Sequence, residues 1–109
     1  MENATTRIRA LNDELRQRHR GGMVVITDGV EALGVQTALE VILAVAEFGE
    51  FTEDNDPHGE HDFGSLDLRG ERFFWKIDYY DKELAFASPD ASDASVTSRV
   101  MTVMRADEY

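Results

Sequence analysis

The chain has 109 residues, 22 of them Asp or Glu against 11 Lys or Arg, a formal charge of −11, 42% hydrophobic residues and no cysteine. That length and apolar content fit a single domain over residues 1–109 with a modest core, and exclude a disordered chain. The missing thiols exclude disulfides, thiolate metal sites and cysteine nucleophiles; the charge opposes direct nucleic-acid binding, and the lack of a signal core or long apolar run opposes membrane insertion or export, so the expected location is cytoplasmic.

From about Thr6 to Arg20, Ile8, Leu11 and Leu15 form one apolar stripe of a helix with a basic outer face, stopped by Gly21-Gly22. "MVVIT", residues 23–27, is short, β-branched and reads as a buried strand. "DGVEALG" reads as a turn. Val35, Ala38, Leu39, Ile42, Val45 and Ala46 then give a second helix to about Glu47, apolar almost all round and expected at the centre of the core, with Gln36, Glu40 and Glu47 left to face water.

After an acidic loop the period becomes two. "FGSLDL" turns at Arg69-Gly70 into "ERFFWKIDYY", where Phe73, Trp75, Ile77 and Tyr79 share the core face and Phe74, Lys76, Asp78 and Tyr80 the other. A turn at Asp81-Lys82 leads to "ELAFA", completing a three-stranded meander. "SPDASDAS" is a loop. In the last segment Val96, Val100, Val103 and Met104 fit a helix, with Asp93 as its N-cap. The expected fold is a two-layer α+β domain: a mainly antiparallel sheet, the meander plus one further strand, covered by two or three helices.

Asn55–Gly64, "NDPHGEHDFG", concentrates the chemistry-bearing side chains. Asp54, Asp56, Gly59 and Asp62 fall at positions one, three, six and nine of a calcium loop, but His58 stands at five, Ser65 replaces the bidentate glutamate at twelve, and a strand follows where a helix is required. A small metal-dependent enzyme is the alternative reading: His58 and His61 with Glu60, Asp62 or the distant Asp78 supply imidazole and carboxylate donors. The spacing H-x-x-H in a loop does not by itself bring both rings to one side. Metal-free acid–base chemistry has Glu60, His61 and Asp62 available, yet neighbours on an extended chain point opposite ways. The bland reading has Asn55, Asp56 and Asp62 capping turn amides and Gly59 and Gly64 supplying left-handed conformations. No nucleophile elbow, glycine-rich phosphate cradle or cofactor signature is present, so no cofactor is expected and the reading leans to a non-enzyme.

Charge is unevenly placed. Residues 21–70 hold eleven acids against Arg69 as the single Lys or Arg, and Glu47, Glu50, Glu53, Asp54, Asp56, Glu60 and Asp62 follow one another with no Lys or Arg between them. Such a run is either a solvated loop or a ridge of carboxylates standing where a basic partner expects phosphates. The aromatic strand lacks the cationic groove of a base-stacking platform; Phe74 and Tyr80 instead are candidates for an exposed partner patch.

The stretches "NDPHGEHDFG" and "WKIDYYD" and the ending "RVMTVMRADEY" resemble the domain-of-unknown-function family 3768 over nearly the whole chain from about Thr6, with "GEHDFG" the most specific part. The resemblance implies a small bacterial protein of plasmids and other mobile elements, often near anti-restriction genes, and carries no catalytic residue. In that family the loop before the last segment is richer in proline, of the type D-P-A-D-P; "DASDAS" lacks those prolines and with them a signal for a helix start. Together these readings lead to a cytoplasmic acidic domain that binds a basic protein, with a host nucleic-acid-targeting defence protein as the specific case. Anti-restriction or anti-CRISPR inhibition by nucleic-acid mimicry is the expected mode, with contacts at the seven acids and at Phe74 and Tyr80.

Overall fold

The computed structural model describes residues 3–109. In chain order they form α1 (Ala4–Arg18), β1 (Met23–Ile26), α2 (Asp28–Glu31), α3 (Val35–Glu47), β2 (Phe63–Leu68), β3 (Glu71–Tyr80) and β4 (Ser98–Arg105), with single 3-10 turns at Ala94–Val96 and Ala106–Glu108. The four strands make one mixed sheet in the order β1-β4-β3-β2. β2/β3 and β3/β4 are antiparallel, and β1/β4 is parallel.

The aromatic hairpin follows the period-two pattern. β2 and β3 turn at Arg69-Gly70, both with positive φ, and register Gly64 opposite Trp75 and Leu66 opposite Phe73. Phe73, Trp75 and Ile77 are buried on one face with Met101 and Val103 of β4, and Tyr79 packs at their edge. Leu15 of α1, Val30 of α2 and Ala38, Val41 and Val45 of α3 close over the same face. The helices therefore form one layer on one side of the sheet, which is the α+β two-layer arrangement.

The third strand of the meander is a correction. "ELAFA" makes only an isolated bridge between Ala87 and Tyr80, and the edge of β3 is taken by β4. The last segment is likewise a strand and not a helix. Its inner face alternates Arg99, Met101 and Val103, while Val100, Thr102 and Met104 face the other way. Asp93 does cap, accepting from the Ser95 amide at 2.9 Å, but the cap opens one 3-10 turn and the chain then enters the sheet. A sequence apolar at both alternations satisfies a helical and a strand period equally, and pairing with two neighbouring strands decides between them.

α3 is also not the centre of the core. Ala38, Val41 and Val45 are buried, whereas Val35, Leu39 and Leu43 are exposed. With helices in a single layer, a helix apolar all round must leave one side bare.

Candidate functional site

No helix or strand spans Phe48 to Asp62, yet the segment is fastened along its length by α1. Asn12 and Arg16 lie one turn apart on the inner face of α1 and are both fully buried. The Arg16 guanidinium donates through Nη1 to the carbonyls of Val45 at 3.1 Å, Ala46 at 3.0 Å and Phe48 at 2.8 Å, and through Nη2 to Asp13 at 3.1 Å. α3 has no base in its last turn and ends at Phe48 without a left-handed residue, so a cation from another helix satisfies its terminal carbonyls and opposes its dipole. The same guanidinium lies over the rings of Phe51 and Trp75, at 5.3 and 5.4 Å.

Farther along, Thr52 and Asn55 bond each other's amides through their side chains, and Asn55 also donates to the Glu50 carbonyl at 2.7 Å. The Asp56 carboxylate turns inward, accepting from the His61 amide at 3.1 Å, and is only 9% exposed. His61 itself adopts a left-handed conformation, φ 54°. Its ring stacks on Phe51 at 3.7 Å with an interplanar angle of 5°. Nδ1 is 2.9 Å from Asp13, and Nε2 is 3.7 Å from Asp56. Arg9 donates to the Gly59 carbonyl at 2.7 Å and Asn12 to the Glu60 carbonyl at 3.0 Å.

A second polar chain continues inward. Arg99 donates to the Asn12 oxygen at 2.7 Å, Asn12 donates to the Tyr79 hydroxyl at 2.8 Å, and that hydroxyl donates to the Glu60 carboxylate at 2.7 Å. Burial, then the hydrogen bond to Glu60, push the Tyr79 phenol well above its ordinary value. Burial and then the Glu60 charge raise the Asp62 carboxyl, and burial lowers the Arg99 guanidinium.

Chemically this is a clamp. His61 Nδ1 is paired with Asp13 and its Nε2 lies near Asp56, whereas His58 is exposed. Among the described residues no group of three His, Asp or Glu side chains is placed to hold a metal ion, His58, Glu60, His61 and Asp62 included. Gly59 does supply a left-handed turn, φ 69°. Gly64 does not; it sits in β2, and a Cβ there would run into the Trp75 indole.

The seven acids divide. Glu47, Glu50, Glu53 and Asp54 are exposed and, among the described residues, have no base within ion-pair distance; Asp56 and Glu60 belong to the clamp, and Asp62 is partly buried near the Glu60 charge. Phe74 and Tyr80 lie on the uncovered sheet face, half-buried; Phe74 is packed by Phe63 and Tyr109, both with ring centroids 5.5 Å away. The motif reading missed Asn12, Asp13, Arg16, Phe51 and Arg99. The available signal was Asn12 and Arg16, polar residues four and eight places after Ile8 on the apolar stripe of α1.

A protein family described as "Protein of unknown function (DUF3768)" matches residues 26–108, which takes in α2, α3, the clamped loop and β2 to β4, and leaves α1 outside. No curated protein and no solved structure matches.

Proposed function

This chain belongs to the DUF3768 family, whose function is unknown, and from that premise we propose that it is a protein-binding domain presenting Glu47, Glu50, Glu53 and Asp54 to a basic protein surface. The observation that carries the reading is the pairing of exposed carboxylates with a fastened backbone: four acids that have no ion-pair partner among the described residues stand on a segment held by Arg16, Asn55 and the packed rings of Phe48 and Phe51. Charges on a fixed frame keep their mutual spacing when a partner approaches, so less ordering entropy opposes binding than for a free acidic tail. A nucleic-acid-handling protein is the partner such a frame suits, because its groove is built to meet a fixed row of negative charges. Mimicry of nucleic acid, directed at a host defence protein of the restriction or CRISPR type, is the specific form we propose. The contact set is the four exposed acids, with Asp56 and Glu60 holding the frame.

The test is competition. Affinity capture from host lysate at about 0.15 M salt, where the screening length is still about 8 Å, is expected to retain nucleic-acid-binding proteins that added duplex DNA displaces. The E47Q/E50Q/E53Q/D54N variant is expected to lose them with its thermal midpoint unchanged. Retention of the same proteins by that variant sinks the proposal.

A further inference from the structure

We propose that the outer face of α3 docks an amphipathic helix with a basic rim. This rests on the reading of a basic protein partner and assigns the apolar half of the contact, which the acidic loop does not supply.

Val35, Leu39 and Leu43 follow one another at one-turn intervals along α3 and are 79%, 55% and 61% exposed. Scattered single apolar residues are normal on a surface, but a stripe of three large ones on one helix is not. Beside the stripe an open cleft of about 200 Å³, lined by Ile26, Gly34, Val35, Ala38, Leu39 and Ile42, lies between α3 and the end of β1. Gly34, at φ 95°, separates α2 from α3 and lets Glu31 stand at the mouth of the cleft. A groove beside a ridge, both apolar and two turns long, is the shape that receives side chains spaced i, i+4 and i+7 on a second helix.

Charge selects the occupant. α3 carries no Lys, Arg or His; exposed Glu31 and Glu47 flank the two ends of the stripe. The guanidinium of Arg69, the nearby base, is held by Glu40 at 2.8 Å. A second copy of this chain is disfavoured. Two-fold pairing about Leu39 would set Val35 against Leu43 but would also bring Glu47 of each copy to the Glu31 end of the other, between molecules each of charge −11. A helix with leucine-like anchors flanked by Lys or Arg buries the stripe and places its own charges at Glu31 and Glu47.

The probe is a labelled synthetic peptide of Leu and Lys at helical spacing, about four turns long, titrated into the full chain by fluorescence anisotropy. Binding is expected, with amide shift changes centred on Val35, Leu39 and Leu43. The same peptide with Glu in place of Lys is expected not to bind. Leu39→Asp and Leu43→Asp, at exposed positions that leave the core intact, are each expected to weaken binding by about tenfold or more. Equal binding of the Glu peptide, unchanged affinity in both Asp variants, or shift changes elsewhere overturns the proposal. So does a wild-type dimer in light scattering that Leu39→Asp converts to monomer, since the occupant is then a second copy. The two readings separate cleanly. If E47Q/E50Q/E53Q/D54N loses lysate capture while the Leu39 and Leu43 variants bind peptide normally, the acidic loop stands and the helix groove falls. If the Asp variants lose the peptide while the acid variant keeps its lysate partners, the groove stands without that loop.

Discussion

The Nη1 atom of Arg16 donates to the Phe48 carbonyl at 2.8 Å, so a single buried side chain of α1 closes α3 and holds the root of the acidic loop. Replacing it with Met keeps the apolar stem but leaves the Val45, Ala46 and Phe48 carbonyls and the Asp13 carboxylate short of a donor. Arg16→Met is expected to lose about 3 kcal/mol in urea titration, the scale of removing one partner from a buried charged network. Arg16→Lys is expected to recover only part of this, because an ammonium cannot reach the carbonyls and Asp13 with the same fork. Amide exchange across residues 48–56 is the local readout; a loop as protected in Arg16→Met as in the native chain would refute the clamp.

Tyr79 joins Asn12 to Glu60 through its hydroxyl, and Tyr79→Phe is expected to cost about 1–2 kcal/mol, the usual loss when buried polar groups give up a shared partner. The raised phenol also makes a prediction for alkaline pH. The folded state holds that proton more tightly than the unfolded state, so stability from this group is full below the ordinary tyrosine value and falls as pH rises above it. Of the three tyrosines, one should fail to ionise in an ultraviolet titration until the protein unfolds, and Tyr79→Phe should abolish that delayed step.

Asp62 carries the same sign of consequence, at acid pH. Burial and Glu60 raise its carboxyl above 3.8, so the folded state binds the proton more tightly, and stability declines as pH rises from that ordinary value through the raised one. Asp62→Asn removes the penalty. The variant is expected to be more stable than the native chain at pH 7, by under about 1 kcal/mol for so partly solvated a group. The gain should shrink towards pH 3, as thermal melts at both pH values will show.

Gly64 faces Trp75 across the β2/β3 pair, and the indole occupies the space where a side chain would begin. Gly64→Ala is expected to destabilise by about 1–3 kcal/mol, the range for overpacking a buried site. Near-ultraviolet circular dichroism should show the displaced indole. A melting curve matching the native one would mean that β2 can slide away from Trp75 at no cost.

The hairpin of β2 and β3 was readable in the sequence because strict alternation over "ERFFWKIDYY" and the Arg69-Gly70 turn admit one register. The two long helices were readable for the corresponding reason, a 3.6 period with stops. β4 was not, since "SRVMTVMR" is apolar at both alternations and only its two neighbours, far away in the chain, make it a strand. The buried face of α3 was hidden by its uniformity: Val35 and Leu39 look as core-like as Val41, and the single helical layer decides which are covered. At the site, the exposed acids are visible as a run without bases. That Asp56 turns inward is not visible, because it depends on the left-handed turn at His61 and on Asp13, more than forty residues earlier.

The parallel pairing of β1 with β4 has a bearing on synthesis. Among the described residues Met23–Ile26 pairs only with Ser98–Arg105, and β4 in turn is the strand that joins β1 to the hairpin. Until that stretch clears the ribosome, Val24 and Ile26 have no sheet to belong to and the indole of Trp75 lacks Val103 at its side. Such long-range closure is slow and comes last. A chain cut off before Ser98 is therefore expected to leave the apolar faces of β1 and of Trp75 unclosed.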